Sequence, residues 1–243
     1  MAQQFSDTVN RTGIIQSIER LTNTQSASTS SYPLTEKTVD VNNAFAKYIT
    51  MAISTSGRWQ VDDTNHTKYP VITTNLVANQ QDYTFTVDEQ LNQILDIYRV
   101  EVMDESGIFH VVSPISQEDI KGVAMSEFMK TAAQPFYYDK TANGIFLYAK
   151  SSYNATNGLK IYFARTPSYF VSTDTTKVPG IPDIHHEYLS LRPSYFYCLA
   201  KGLKNVNNYK VELMEMEANI KEYYRDRSKD DKPYMRTVTT SSR

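Results

Sequence analysis

A single cysteine, Cys198, in 243 residues rules out any intrachain disulfide, so the fold must rest on packing and backbone hydrogen bonds. Its setting, Tyr195-Phe196-Tyr197-Cys198-Leu199-Ala200, predicts a buried, inert thiol, because a nucleophile needs a charged and partly open surrounding. Glycine is scarce too. The eight glycines stand singly, mostly at turns, which excludes the clustered glycines of a phosphate-cradling loop. No stretch approaches the ~18 apolar residues of a membrane span, and Met1-Ala2-Gln3-Gln4-Phe5 lacks a basic patch followed by an apolar core. The expectation is a soluble chain made in a reducing cytoplasm, with no membrane partner. Neither sign of charge prevails: 25 basic and 27 acidic residues leave a formal charge of −2, so bulk charge does not make the chain a polyanion binder.

Catalytic and metal-binding patterns are sparse as well. His185-His186-Glu187 superficially resembles a zinc helix, but the position of the second His ligand in His-Glu-x-x-His is Leu189. Adjacent helical residues point about 100° apart, so the two histidines are poorly placed to share a metal. Asp62-Asp63 with Asn65 lacks the glycine and terminal glutamate of a calcium loop. Asp82, Glu101 and Asp104 are not specified as a carboxylate pair by their spacing. These readings leave no catalytic residue, no cofactor and no metal, and favour a structural assembly protein over an enzyme.

What the chain has in quantity is tyrosine, 18 residues, whose apolar face and polar tip suit half-buried sheets and interfaces. Ile14, Ile18 and Leu21 stand at helical spacing in Thr12–Leu21, and the small polar run 22–31 reads as a linker or extended arm. After Tyr32-Pro33-Leu34, Thr35 is an N-cap candidate for a helix with Val41, Phe45, Tyr48, Ile49, Ala52 and Ile53 on one face, stopped by Gly57. From Trp59 to Pro167 alternation replaces the helical period: Tyr83, Phe85 and Val87 alternate with Thr84 and Thr86. Ser106-Gly107, Asn143-Gly144 and Asn157-Gly158 are expected turns of successive hairpins, with a possible helix over Ser116–Met129. Asp183 caps a stripe of Ile184, Tyr188, Leu191, Tyr195 and Leu199 that Pro193 should kink or break. A second helix from Asn208 turns Leu213, Met216, Ile220 and Tyr223 inward, and residues 226–243 lose periodicity.

The resulting fold class is α+β: a helical bundle with a large antiparallel β-rich insert and extended terminal arms. The expected division is 1–34 as N-terminal helix and flexible arm, 35–57 with 178–226 as helical core, 58–177 as β-rich insert, and 227–243 as tail. Ten basic against seven acidic residues follow from Lys201 to the end. Aromatic and basic residues interleave at Tyr223-Tyr224-Arg225-Asp226-Arg227 and Lys232-Pro233-Tyr234-Met235-Arg236, a composition suited to base stacking or to protein interfaces. The intervening Asp226, Asp230 and Asp231 favour protein partners.

The order of these elements resembles the head–tail adaptor (connector ring) proteins of tailed bacteriophages. The resemblance is carried by Trp59-Gln60-Val61-Asp62, Gln81-Asp82-Tyr83-Thr84-Phe85, Gln134-Pro135-Phe136-Tyr137-Tyr138, Leu159-Lys160-Ile161-Tyr162-Phe163 and Pro179-Gly180-Ile181-Pro182-Asp183-Ile184-His185-His186-Glu187-Tyr188-Leu189. It implies a virion protein of the head–tail junction, or neck, in a ring of about twelve copies under the portal protein. The same resemblance implies tail or further neck proteins as neighbours and passage of double-stranded DNA through the lumen. By this resemblance the arm from Met1 to Tyr32 and the tail from Asp226 to Arg243 are docking segments. Ile14, Ile18, Leu21, Tyr223, Tyr224, Arg225, Arg227, Tyr234, Met235 and Arg236 are their candidate partner-binding residues. The competing reading is a β-sandwich carbohydrate- or receptor-binding module, with Trp59 and the tyrosines as its platform.

Overall fold

The computed structural model describes residues 2–24, 31–56, 71–87, 91, 93–115 and 132–230, with side chains as far as 226. The chain divides into two compact units: residues 1–59 with 169–243, and residues 60–168. Among the described residues they hold four α-helices and a mixed seven-stranded sheet, so the protein is α+β. The expected Gly57 stop, the turn at Asp62-Asp63, Trp59, the helix over Ser116–Met129 and the tail beyond 230 lie outside the described residues.

In the first unit, α1 (Ile14–Thr22) buries Ile14, Ile15 and Ile18, two adjacent positions and the next turn of one face. It ends on Asn23 in the left-handed region, with Thr24 N–H bonded to Glu19 O and Asn23 N–H to Arg20 O, so the last carbonyls are satisfied. α2 (Leu34–Ser56) begins at Leu34, which places Thr35 inside its first turn rather than at the cap. Its Val41, Phe45, Tyr48, Ile49 and Ala52 are buried as their spacing anticipates, together with Ala44, while Ile53, expected on the same face, is half-buried. A 3₁₀ turn (Asp183–His185) leads into α3 (Tyr188–Lys201), which runs unbroken through Pro193. The expected break does not occur, because the proline falls early in the helix, just after a first turn already tightened by Leu189 N–H to His186 O and Ser190 N–H to Glu187 O. Gly202 at φ 65° closes α3 with the same two-bond motif as α1. α4 (Val206–Asp230) follows, and α2, α3 and α4 pack on one another, with α1 against α3 and α2. The inward face of α3 is Tyr188, Leu191, Ser194 and Cys198; Ile184 and Leu199, expected inward, are exposed.

The second unit contains β1 (Val71–Leu76), β2 (Asp82–Thr84), β3 (Ile94–Met103), β4 (Phe109–Pro114), β5 (Ala132–Ala133), β6 (Tyr137–Thr141), β7 (Gly144–Tyr148), β8 (Lys150–Ser151) and β9 (Ala155–Arg165). The large sheet runs β1-β9-β3-β4-β6-β7-β2, all antiparallel except β4 beside β6; β5 and β8 form a separate parallel pair. Strands lie ~4.8 Å apart, so a flat sheet of this order would hold β1 and β2 about 29 Å apart. The segment 77–81 that joins them can reach only about 20 Å. The sheet therefore curls until its two edges approach, and Tyr83 Oη on β2 accepts from Val77 N–H at 3.0 Å. Inside the curl Leu76, Tyr83, Ile97, Val100, Val102, Val112, Tyr138, Ile145, Leu147, Leu159 and Ile161 form one apolar cluster.

Candidate interaction surfaces

The candidate residues of the N-terminal helix are part of the protein's own packing. Ile14 and Ile18 are fully buried, and Leu21 is half-buried with its carbonyl accepting Tyr209 Oη at 2.9 Å. Residues 2–13 are also pinned. Phe5 is buried and its ring stacks on Phe170 at 4.6 Å, while Phe5 and Ser6 N–H bond to Lys177 and Thr175 carbonyls. Asp7 accepts from Val9 N–H, Asn10 N–H and Thr12 Oγ1, and these bonds hold its carboxyl below the ordinary value. Residues 2–13 are thus held by their own apolar anchors and turn chemistry, while 25–30, most of the expected linker, lie outside the described residues.

On α4 the two tyrosines have opposite fates. Tyr224 is fully buried, with its hydroxyl 2.9 Å from Tyr48 Oη; that hydroxyl in turn lies 2.6 Å from His185 Nδ1. Tyr223, expected inward, is exposed and stands perpendicular to the His185 ring with ring centres 5.1 Å apart. Tyr188 Oη donates to Glu217 at 3.0 Å, and burial pushes its phenol far above the ordinary range. Arg225 is exposed and pairs with Glu222 and Asp226. Arg227 lies in the last turns of α4, without a described side chain, and Tyr234, Met235 and Arg236 lie outside the described residues. The candidate residues of α1 and α4 therefore do not converge on one patch.

His185 and His186 are committed to hydrogen bonds. His186 Nδ1 accepts Gln3 N–H at 2.9 Å and Nε2 donates to Ile181 O at 3.0 Å, and burial lowers the pKa of both rings. Among the described residues no cluster of three His, Cys, Asp or Glu is arranged to hold a metal. Cys198 is buried, and burial raises its thiol pKa.

Surface that sequence reasoning missed lies elsewhere. On α3, Phe196 and Leu199 are exposed one turn apart, with Leu203 exposed just past its end, and Val211 and Met214 (62% exposed) are exposed on α4. Phe196, Val211 and Met214 stand outside the single apolar stripe read on each helix, whereas Leu199 was read as part of it. In the β unit Ile108, Val111, Phe136 and Tyr137 are exposed. Nearby on the sheet's outer face, the largely buried Glu101 receives Arg99 Nε at 2.6 Å and Tyr162 Oη at 3.3 Å, and Lys160 Nζ sits 3.6 Å from the Phe109 ring centre. Apolar and aromatic side chains with scattered cations are the composition of protein contact surfaces.

A helical unit and a curled β unit, both bearing such contact surface, define a two-part α+β protein of the interaction class. The chain belongs to the SU10 adaptor protein family, whose model matches residues 10–239, consistent with a phage head–tail adaptor. No curated protein matches it. An adaptor family is structural, which implies a non-enzymatic role and interaction with other phage head or tail proteins. Among the described residues no helix is long and apolar enough to cross a membrane.

Proposed function

We propose that the chain is a structural virion protein of the phage neck, forming a ring at the head–tail junction that docks on the portal and joins it to tail or further neck components. The family match across nearly the whole chain carries this reading. In it the helical unit is a bundle whose copies pack side by side in a ring of about twelve, each burying exposed apolar helix surface heterologously against the next. DNA passes through the lumen, and the near-neutral formal charge of −2 suits a passage that must not retain it. Ile14, Ile18, Leu21 and Tyr224 serve by holding the bases of the two terminal segments. Tyr223, Arg225, Arg227, Tyr234, Met235 and Arg236 meet the portal.

The test is capture by the purified portal complex of the same virus, read by mass photometry and by electron microscopy of the product. The full chain is expected to add a ring of its own copies. A chain ending at residue 230 should melt at an unchanged temperature yet bind at least ~10-fold more weakly, a loss of about 1.4 kcal/mol. A full chain that stays monomeric and unbound beside the portal overturns the proposal; equal binding by the shortened chain overturns the role given to the tail.

A further inference from the structure

His186 occupies an unusual position for a titratable group. Its side chain is 1% exposed, and both ring nitrogens are used by backbone atoms of segments distant in sequence or turn. A carbonyl can only accept, so the bond to Ile181 O fixes the proton on Nε2, and the Gln3 N–H then requires the lone pair of Nδ1. Protonating Nδ1 would set one N–H against another. Among the described residues, the charged or titratable groups facing the ring are Asp183, with Oδ1 at 3.9 Å and half-exposed, and the adjacent His185.

The Gln3 bond is the first of a short series. Phe5 N–H to Lys177 O, Ser6 N–H to Thr175 O, Ile14 N–H to Gln4 O and Ile15 N–H to Phe5 O continue it, and Phe5 plugs the space beside Phe170. Residues 3–6 are thus a strap laid between the 175–181 loop and the start of α1. We propose that His186 is an acid-operated latch for this strap: neutral imidazole holds residues 3–6 in place, and its protonation releases them while the β unit stays folded.

The sign follows from linkage. Burial outweighs Asp183 and lowers the folded pKa of His186 below 6.5, so the closed strap is fully favoured above that value and loses stability as pH falls beneath it. The closing equilibrium should weaken by up to tenfold per pH unit until the folded pKa is reached.

Hydrogen exchange of the full chain, corrected for intrinsic rates, tests this between about pH 7.5 and about pH 5. The Phe5, Ser6 and Ile15 amides should lose protection towards the acid end, by at most about tenfold per pH unit below 6.5, while amides of β3 and β9 keep theirs. In His186→Asn, whose side-chain oxygen can accept the Gln3 N–H but does not titrate, strap protection should be independent of pH. Unchanged strap protection in the native chain, parallel loss in the β unit, or equal loss in His186→Asn each overturns the latch. Should that variant fail to fold, ¹⁵N spectra of the native imidazole decide: an Nε2–H tautomer that charges only as the strap opens upholds it. A ring that charges with the strap still protected overturns it.

Discussion

At the crossing of β2 and β7 the backbone of Tyr83 and Thr84 lies against Gly144 so closely that a Cβ there would collide with the Tyr83 carbonyl and the Thr84 Cα. Sequence reading assigned this glycine to a turn needing positive φ. Yet Thr141 pairs with Gly144, leaving Ala142 and Asn143 as the loop, and Gly144 is not among the residues of positive φ. Its lack of a side chain is used for approach, which depends on a strand about 60 residues away and has no local signature. Gly202 is the opposite case: φ is +65° and nothing lies within 4 Å of a built Cβ. Gly144→Ala should therefore cost about 2–3 kcal/mol by forcing two backbones apart, and Gly202→Ala about 1 kcal/mol of left-handed strain. Urea unfolding of both variants checks the order, and a larger cost at Gly202 would refute the contact argument. The adjacent pair Tyr223 and Tyr224 shows the same limit. Neighbours on a helix differ by about 100° in direction, and only the position of Tyr48 on α2 decides which of the two goes inward.

Among the elements, those whose signal is local were legible. α1, the buried face of α2 and the β3–β4 hairpin around Ser106-Gly107 follow from period and turn residues, and β4 pairs with β3 as that turn requires. Asn157-Gly158, read as a turn, instead lies within β9. Asn157 at φ 54° makes a bulge there, and the register against β1 shifts between Thr74 and Leu76. The parallel neighbours β4 and β6, and the placing of β1 beside β9, are set by long-range pairing that no window of sequence contains. For α1 the consequence is mechanical. A helix of nine residues is marginal alone, so the burial of Ile14, Ile15 and Ile18 is what keeps it formed. Removing residues 1–32 would therefore open the core of the helical unit rather than trim an idle arm. Ile18→Ala should cost about 3 kcal/mol and Leu21→Ala, at a half-buried site, clearly less. Denaturant unfolding followed by helical circular dichroism gives both values, and a cost at Leu21 equal to that at Ile18 would contradict the packing described.

For the whole molecule the open matter is the division of labour between the units. Each has a core of its own residues: the aliphatic and tyrosine cluster inside the curled sheet in one, and Phe5, Phe45, Tyr48, Tyr188, Ile220 and Tyr224 in the other. Because residues 60–168 form a unit within the chain of the first, they can be replaced by a Gly/Ser linker. Linker length matters little, since each doubling costs only about 0.6 kcal/mol of closure entropy. The C-terminal segment proposed to meet the portal belongs to the helical unit. The excised chain should then keep its helical circular dichroism, unfold cooperatively and still be captured by the portal complex, whereas residues 60–168 alone should not be captured. Capture by the isolated β unit instead would place the portal contact on its exposed Ile108, Val111, Phe136 and Tyr137 and would move the proposed docking surface from the C-terminal segment to the sheet.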